Sequence, residues 1–355
     1  MQKAKACFAA SCTVTILNKN DKIKSRRNLV GGQAVIEGVM MKSGENYALA
    51  VRTDDGNSKV STKKITSLRK KYKILNLPLI RGVVNMVESL ILSYSTLSDS
   101  LKMLGIDEFE EETEFEKWLK AKVGFKLVNI IMGVAMVFAV VLAIFLFKLV
   151  PAALAKVIDE YVVSIGVFKS VIEGAVKIGI FVLYIWLVSF MKDIRRTFEY
   201  HGAEHKSIAC FESGDELTPA NAKKHTRFHP RCGTSFIFVV LILSIIIFSF
   251  IPWGNLAVRM LLQLLLLPLL VGLSFEFIMY AGRHDNIVTK ILSAPGLWMQ
   301  RLTTKEPDEA QLEIAILALK RALPDMYPEE AGNTDGVCDE FHDNEEEDTS
   351  ESDVT

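Results

Sequence analysis

Two histidines four residues apart, with a glutamate between them, are the residues of this chain best suited to chemistry. They belong to the run His201-Gly202-Ala203-Glu204-His205. On a helix, residues i and i+4 share one face, so the two imidazoles would stand side by side. Neutral imidazoles bind zinc, and zinc activates water for hydrolysis. The spacing therefore predicts zinc ligands at His201 and His205, with Glu204 as general acid or base.

Further possible zinc ligands follow in the same segment. His229 and Cys232 have a spacing that is common in metal-binding knuckles, and we expect them to complete the ligand set. His225 and Arg231 are further candidates. Inverted zinc peptidases share the His-x-x-Glu-His order, but nothing else in the sequence indicates their large soluble fold. The alternative is that these histidines cap helices or contact phosphates at a membrane surface.

Three more polar residues lie in or beside an apolar segment. Glu276 falls inside the segment, where an ionisable side chain is costly and often functional. A simple ion pair of Glu276 with Arg259 or Arg283 is the alternative. Arg283 and His284 follow the segment directly, so they are candidates for an added ligand or a headgroup contact, although an ordinary interfacial cluster also fits.

The hydropathy pattern predicts a mainly α, polytopic helical membrane protein. Half of the residues are hydrophobic, and they cluster in runs long enough to cross a bilayer. We expect about four transmembrane helices within a membrane domain at residues 128–280. The predicted spans are residues 128–150, 178–191 with a backward extension through Val171, 235–251 and 256–280. Between the second and third spans, residues 192–232 form a histidine-rich loop that carries His201 to Cys232.

Charge predicts the orientation of these spans. Residues 192–231 carry eight Lys and Arg, whereas the other connections between spans are weakly charged or short. By the positive-inside rule, the histidine-rich loop and both chain termini are expected to face the cytoplasm. The five cysteines are scattered and form no disulfide framework, which fits a reducing compartment.

The rest of the chain divides by composition. We expect a flexible basic lead-in at residues 1–28 and a small β-rich element at residues 29–75, with a hairpin turn at residues 54–57. Residues 79–104 have the period of an amphipathic interfacial helix. A cytoplasmic helical segment at residues 281–323 contains a turn at residues 293–296, and an acidic, disordered tail occupies residues 324–355.

The expected partners follow from the same charge pattern. Residues 1–73 carry 16 Lys and Arg against 5 Asp and Glu, and the spans bring this arm close to a bilayer. We therefore expect it to contact anionic lipid headgroups, and we expect no nucleic acid. A merely solvated basic surface is the alternative.

Four blocks of the sequence resemble the YqhQ-like family of bacterial multi-pass membrane proteins. The blocks are GGQAVIEGVMM (31–41), FEYHGAEHKSI (198–208), HPRCGTSF (229–236) and PGLWMQRLTTKEPDEAQLEIAI (295–316). The resemblance covers roughly residues 29–323. It implies a multi-pass protein of the bacterial inner (plasma) membrane and a metal-dependent activity, with no defined substrate. By motif match it nominates His201, Glu204, His205, His229, Arg231 and Cys232.

We therefore expect a zinc-dependent membrane enzyme, with hydrolysis as the first candidate reaction. Its substrates would be lipid-linked molecules or membrane peptides delivered beside the helix at residues 79–104. The alternative is a non-enzymatic accessory factor for membrane-protein assembly or translocation, which contacts other membrane proteins and uses the His/Cys loop as a structural site. A transporter with Glu276 on its path fits less well, because few ionisable residues lie deep in the spans.

Overall fold

The first structured element is a four-stranded antiparallel sheet. A computed structural model describes residues 26, 29–106, 125–162, 168–251, 254–281 and 286–331. The strands are β1 Val30–Val35, β2 Gly38–Ser43, β3 Asn46–Arg52 and β4 Ser58–Lys64. They pair in sequence order, and Gly56 adopts a positive φ of 80° in the turn before β4. The prediction of a β-rich element and of its hairpin turn is confirmed.

Helices make up most of the remaining described chain, as predicted. They are α1 Leu68–Lys71, α2 Ile80–Met103, α3 Phe125–Ile144, α4 Val150–Val157, α5 Lys169–Val188, α6 Lys192–Ser213, α7 Pro219–Lys224, α8 Gly233–Ser249, α9 Leu256–Ala281, α10 Ile287–Thr303, α11 Glu309–Arg321 and α12 Pro328–Ala331. Two π-helical turns, Phe145–Leu149 and Ile158–Val162, lie before and after α4. A 3₁₀ turn, Lys73–Asn76, lies between α1 and α2.

The sheet is covered by helices on both faces. Alternate residues of a strand point to opposite faces. In β3, Ala48 and Ala50 join the apolar core formed with α6 and α11, whereas Tyr47, Leu49 and Val51 pack with α2. The N-terminal sheet, the histidine-bearing helix and the C-terminal helix thus share one core, although they are far apart in the sequence.

Helix α2 also contacts the sheet through polar side chains. Gln33 of β1 hydrogen-bonds both Ser93 and Thr96, and Lys63 of β4 pairs with Asp99 at 3.1 Å. The opposite face is an exposed apolar stripe formed by Val87, Leu90, Ile91, Tyr94 and Leu97. This arrangement leaves the stripe free to contact an apolar medium, which an interfacial helix requires.

Three described helices are long and apolar enough to cross a membrane. They are Met136–Tyr161, Lys169–Val188 and Ala257–Ala281. Most of their large apolar side chains are exposed, and so large an apolar surface is unusual for a soluble monomer. The segment predicted as the third span forms α8, which is apolar but only 17 residues long. Of the four predicted spans, three therefore lie in helices that are long and apolar enough to cross a membrane, and the fourth lies in a shorter apolar helix.

The connection at residues 192–232 folds largely into α6 and α7, because Tyr200, Ile208 and Phe211 of α6 pack into the sheet core, and the helix expected at the histidine pair is part of α6. One local prediction differs from the structure. The turn predicted at residues 293–296 is wrong, since α10 continues through Pro295. Gly296 packs so closely on α8 that a Cβ there would lie 2.7 Å from the Cα of Ser235. This packing stabilises the helix despite the proline.

The two ends of the chain contribute little to the described structure. Of the predicted basic lead-in 1–28, only residue 26 is described. Of the predicted acidic tail 324–355, residues 324–331 are described and include α12. The remainder of both segments lies outside the described residues.

Candidate metal centre

Helix α6 presents the two histidines of the His-x-x-Glu-His run on one face. It ends at Gly214, which adopts the left-handed conformation (φ 81°) that favours glycine after a helix. Burial of Tyr200 and Phe211 in the sheet core fixes the rotation of the helix about its axis. The ring centroids of His201 and His205 lie 4.5 Å apart, as their spacing predicts.

Backbone carbonyl groups fix the tautomer of both imidazoles. Nδ1 of His201 lies 2.8 Å from the carbonyl oxygen of Thr303, and Nδ1 of His205 lies 2.5 Å from that of Arg227. A carbonyl can only accept, so each Nδ1 carries the proton and donates it. In a neutral ring, Nε2 then carries the lone pair that could bind a metal. Metal-binding histidines are commonly oriented by such a hydrogen bond.

A cysteine thiol completes a group of three donor atoms. Cys232 is the N-cap residue of α8, and its Sγ lies 3.2 Å from Nε2 of His201. The hydroxyl of Thr234 donates a hydrogen bond to the same sulfur over 3.3 Å. One donor atom each from His201, His205 and Cys232 lies within 4.8 Å of the others. We call these three residues the triad.

The dimensions of the triad fit a zinc ion. Tetrahedral bonds of about 2.0–2.3 Å place neighbouring ligand atoms roughly 3.3–3.7 Å apart. The 3.2 Å between His201 and Cys232 is close to this range, and the 4.8 Å limit on the triad leaves a contraction of at most about 1–1.5 Å. Two imidazole nitrogens and one sulfur are also a donor set that zinc favours. The described residues therefore fit a zinc ion with three protein ligands.

Glu204 lies beside the triad but contributes no atom to it. Its Oε2 lies 4.0 Å from Nε2 of His201, and the residue is only 5% exposed. Burial raises the pKa of its carboxyl to about 7, and a positive charge on His201 would act in the opposite direction. Gly32 of β1 makes room for this side chain, because a Cβ there would lie 3.0 Å from Cγ of Glu204.

His229 adjoins the triad, but its ring contacts other groups. Its ring centroid lies 5.6 Å from that of His205, while its Nε2 lies 3.1 Å from Nη2 of Arg231 and 3.8 Å from a carboxylate oxygen of Glu212. Arg231 also pairs with Glu212. Burial lowers the pKa of His229. Its assignment as a ligand stays a prediction, and the structure brings Cys232 closer to the histidine pair.

The other candidate residues lie apart from the triad. His225 is the C-cap of α7 and pairs with Asp215 at 3.0 Å. Glu276 of α9 forms a two-bond pair with Arg81 of α2, at 2.6 and 2.5 Å. The sequence suggests Arg259 or Arg283 as the partner of Glu276, and the structure adds Arg81, which the sequence does not indicate. Arg283 and His284 lie outside the described residues.

The structure adds two residues that support the site and that the sequence analysis missed, because neither one is a metal ligand or an acid–base group. Gln300 of α10 holds the backbone of His229, since its side chain accepts from the N–H at 2.8 Å and donates to the carbonyl at 2.7 Å. Gly202 lets the strand-like segment after α10 approach α6, because a Cβ there would lie 2.0 Å from the carbonyl oxygen of Lys305. The sequence does offer one indication of these two residues, which is that they lie within the blocks shared with the YqhQ-like family. Gly202 and Gln300 belong to two of the four sequence blocks, and all four blocks supply residues to the site or its immediate support.

Comparison with known proteins gives a family but no activity. The family described as "Protein of unknown function (DUF1385)" matches residues 77–325. The "Uncharacterized protein YqhQ" of Bacillus subtilis (strain 168) is 34% identical over 297 residues, which cover 82% of this chain and 92% of that protein. No solved structure matches the chain.

Proposed function

The chain belongs to the DUF1385 family of proteins of unknown function, and from its site we propose that it is a zinc-dependent membrane enzyme, namely a hydrolase. One observation carries the proposal. One donor atom each from His201, His205 and Cys232 lies within 4.8 Å of the others, and backbone carbonyl groups hold Nδ1 of both imidazoles, next to a buried carboxylate that is not part of the triad. A separate carboxylate beside three ligands is typical of catalytic zinc sites rather than structural ones.

The residues around the triad have separable roles. Zinc bound there would supply Lewis acidity to a substrate oxygen. His201, His205 and Cys232 would hold it and leave the fourth tetrahedral position for the substrate. Glu204 would accept or donate a proton at its carboxylate, and the sheet behind it keeps bulk water away.

The location of the triad supports a substrate that resides in the membrane. Cys232 caps α8, an apolar helix, and α6 follows α5, which is long enough to span. We infer that the triad lies at the boundary between the inner (plasma) membrane and the cytoplasm, since residues 192–231 carry eight Lys and Arg. Lipid-linked molecules or membrane peptides could reach it along the exposed stripe of α2. With the 17-residue α8 as a fourth crossing helix, both chain termini would lie in the cytoplasm.

A structural metal site is the second candidate, and burial favours it. His205 is 2% exposed and Cys232 is 8% exposed, so the triad is close to sealed in this conformation. Metal binding would then hold α6 and the start of α8 together in an accessory factor for membrane-protein assembly. The two candidates differ in one property: a catalytic zinc has a position open to outside ligands, whereas a structural zinc does not.

Metal content tests whether the triad binds zinc at all. The full-length protein would be purified in detergent as wild type and as His205→Ala, Cys232→Ser, Glu204→Gln and His225→Ala. We expect about one zinc per chain in the wild type. The triad variants should lose it, and Glu204→Gln should keep it. His225→Ala is the matched control, because this histidine lies in the same segment but outside the triad. Full zinc content in both triad variants would contradict the proposal.

Replacement of zinc by cobalt separates the two candidates without a known substrate. Cobalt bound to a thiolate gives visible absorption that reports its coordination number. For an enzyme, added azide should change this spectrum in the wild type and in Glu204→Gln. A spectrum that does not respond to azide would reject the catalytic proposal and leave the structural site.

A further inference from the structure

The start of α2 and the segment before it form a hairpin that is joined by polar contacts. The first arm is α1 with the 3₁₀ turn that follows it, and the second arm is the N-terminal half of α2. The carboxylate of Glu88 in α2 accepts a hydrogen bond from the hydroxyl of Ser67 at 2.9 Å. Arg69 of α1 donates to the side-chain oxygen of Asn85 at 3.2 Å. The segment between the arms, residues 74–80, is therefore the tip of the hairpin.

The tip is apolar and exposed. Ile74, Leu77 and Ile80 are each between 40% and 72% exposed, and the stripe of α2 continues this surface along the second arm. A continuous apolar surface of this kind indicates contact with another apolar molecule or phase. Lys71 and Lys73 of the first arm are exposed just before the tip. Lysines that flank an apolar surface are typical of segments that lie against anionic lipid headgroups.

The tip packs against the middle of α9, the last of the long apolar helices. A Cβ on Gly272 of α9 would lie 2.6 Å from the carbonyl oxygen of Leu79, and a Cβ on Gly82 would lie 3.0 Å from the Cα of Gly272. Glycines that allow two backbones to approach so closely are typical of helix contacts inside membranes. One turn further along α9, Glu276 pairs with Arg81 at 2.6 and 2.5 Å. Two glycines and one ion pair thus hold the tip on α9.

The backbone of the tip suits an apolar environment. Leu79 has a positive φ of 69°, which a bulky residue adopts only where its surroundings hold it. Leu77 donates its N–H to the carbonyl of Ile74 at 3.2 Å and accepts from the N–H of Arg81 at 2.9 Å. Pro78 has no N–H that needs a partner. Irregular backbone is tolerated at membrane depth where its polar groups are satisfied and protein packs against it. Leu77 meets the first condition, and Leu79 meets the second.

The position of Gly272 along α9 gives the depth of the tip. Helix α9 has 26 residues and is about 39 Å long, whereas the hydrocarbon core of a bilayer is about 30 Å thick. With α9 centred in the bilayer, Gly272 lies about 5 Å from the midplane, which is about 10 Å below the headgroup boundary. This end of α9 leads to α10, whose Gln300 contacts the backbone of His229 beside the triad. The tip therefore enters the leaflet on the same side as the triad.

We propose that residues 68–97 form a re-entrant hairpin, whose tip inserts among the acyl chains of an anionic phospholipid bilayer in the leaflet nearest the triad. Lys71 and Lys73 lie at the level of the headgroups, and the stripe of α2 lies obliquely in the same leaflet. A purely interfacial helix would instead leave the tip at the membrane surface. The inference rests on the membrane placement of α9 in the proposed function, but it requires neither zinc nor catalysis.

Spin labels measure the depth of the tip in the full-length protein. The labelled variants are Leu77→Cys in the tip, Leu273→Cys next to the glycine of α9, and Thr62→Cys in β4, all at exposed positions. The buried Cys210 and Cys232 are kept, and three other cysteines are changed to serine in every variant, namely Cys7, Cys12 and Cys338. Each variant carries a nitroxide and is reconstituted into vesicles of phosphatidylcholine and phosphatidylglycerol. Collisions with oxygen then report lipid around the label, and collisions with a nickel chelate report water.

The label at Leu77 should lie as deep as the label at Leu273, roughly 10 Å below the headgroups, and the label at Thr62 should meet the nickel chelate freely. A label at Leu77 that meets the chelate as Thr62 does, while Leu273 is deep, would overturn the hairpin. Shielding of Leu77 from both oxygen and chelate would also overturn it, because a protein surface would then cover the tip. Exposure of Leu77 and Leu273 alike to the chelate would reject the membrane placement of α9, and the hairpin with it.

Discussion

Substitution Gly202→Ala should disturb the triad without changing any of its donor atoms. A Cβ at this position would lie 2.0 Å from the carbonyl oxygen of Lys305, a backbone atom that cannot rotate away. Ordinary contact requires at least about 3.2 Å, so the segment after α10 must move by roughly 1.2 Å. Thr303 lies two residues before Lys305 and would move with it. Its 2.8 Å hydrogen bond from His201 could then lengthen to about 4 Å, beyond hydrogen-bonding range.

Two measurable losses follow from this displacement. Overpacking of a tight contact costs typically about 1–3 kcal/mol of folding stability. Loss of the hydrogen bond that orients a metal-binding histidine typically costs about 10- to 100-fold in metal affinity. Zinc affinity would be measured by competition with a chelator, and stability by thermal unfolding in detergent.

The matched control is Gly233→Ala, next to Cys232. A Cβ there has no atom within 4 Å, so we expect wild-type zinc affinity and stability. If Gly202→Ala bound zinc as tightly as Gly233→Ala, the carbonyl of Thr303 would not be what orients His201. The reasoning would also fail if Gly202→Ala unfolded at the same temperature as the control.

Two further predictions concern the support of the site. Gln300→Ala should destabilise the protein by about 1–3 kcal/mol, because the partly buried backbone of His229 loses both of its hydrogen bonds to that side chain. Thermal unfolding measures this loss, and an unchanged midpoint would contradict it. Cys210 should resist alkylation at pH 8 until the protein is denatured, since burial raises the pKa of its thiol from 9.0 to about 11 and lowers the reactive thiolate about 100-fold. Mass spectrometry of native and denatured samples would detect the modified residue, and rapid native modification would show that Cys210 is accessible.

The histidine pair was predictable because helical periodicity is local. The spacing of His201 and His205 determines their common face once α6 forms, and the amphipathic pattern of residues 79–104 predicts α2 in the same way. Spacing alone does not show whether His229 or Cys232 lies next to the histidine pair as a third metal ligand, because both lie on the same short connection. The choice depends on Gln300, Arg231 and Glu212, which contact His229 only in the folded chain.

Long-range packing explains the remaining differences from the sequence predictions. Pro295 and Gly296 indicate a turn when read locally, yet the contact of Gly296 with Ser235 favours a continuous helix. No local pattern shows that Gly32 of β1 adjoins Glu204. The sequence blocks mark these residues as part of recognisable motifs, but not as neighbours in space.

The hydrogen bond from His201 to Thr303 also constrains when the site can form during synthesis. The two residues are separated by 102 positions, and α8 and α9 lie between them. At roughly 5–20 residues per second, the carbonyl of Thr303 is made about 5–20 seconds after the imidazole that it orients. Both intervening apolar helices are synthesised in that interval. His201 is therefore oriented for a metal only after α9 has been made, so metal binding would report a chain synthesised at least through Thr303.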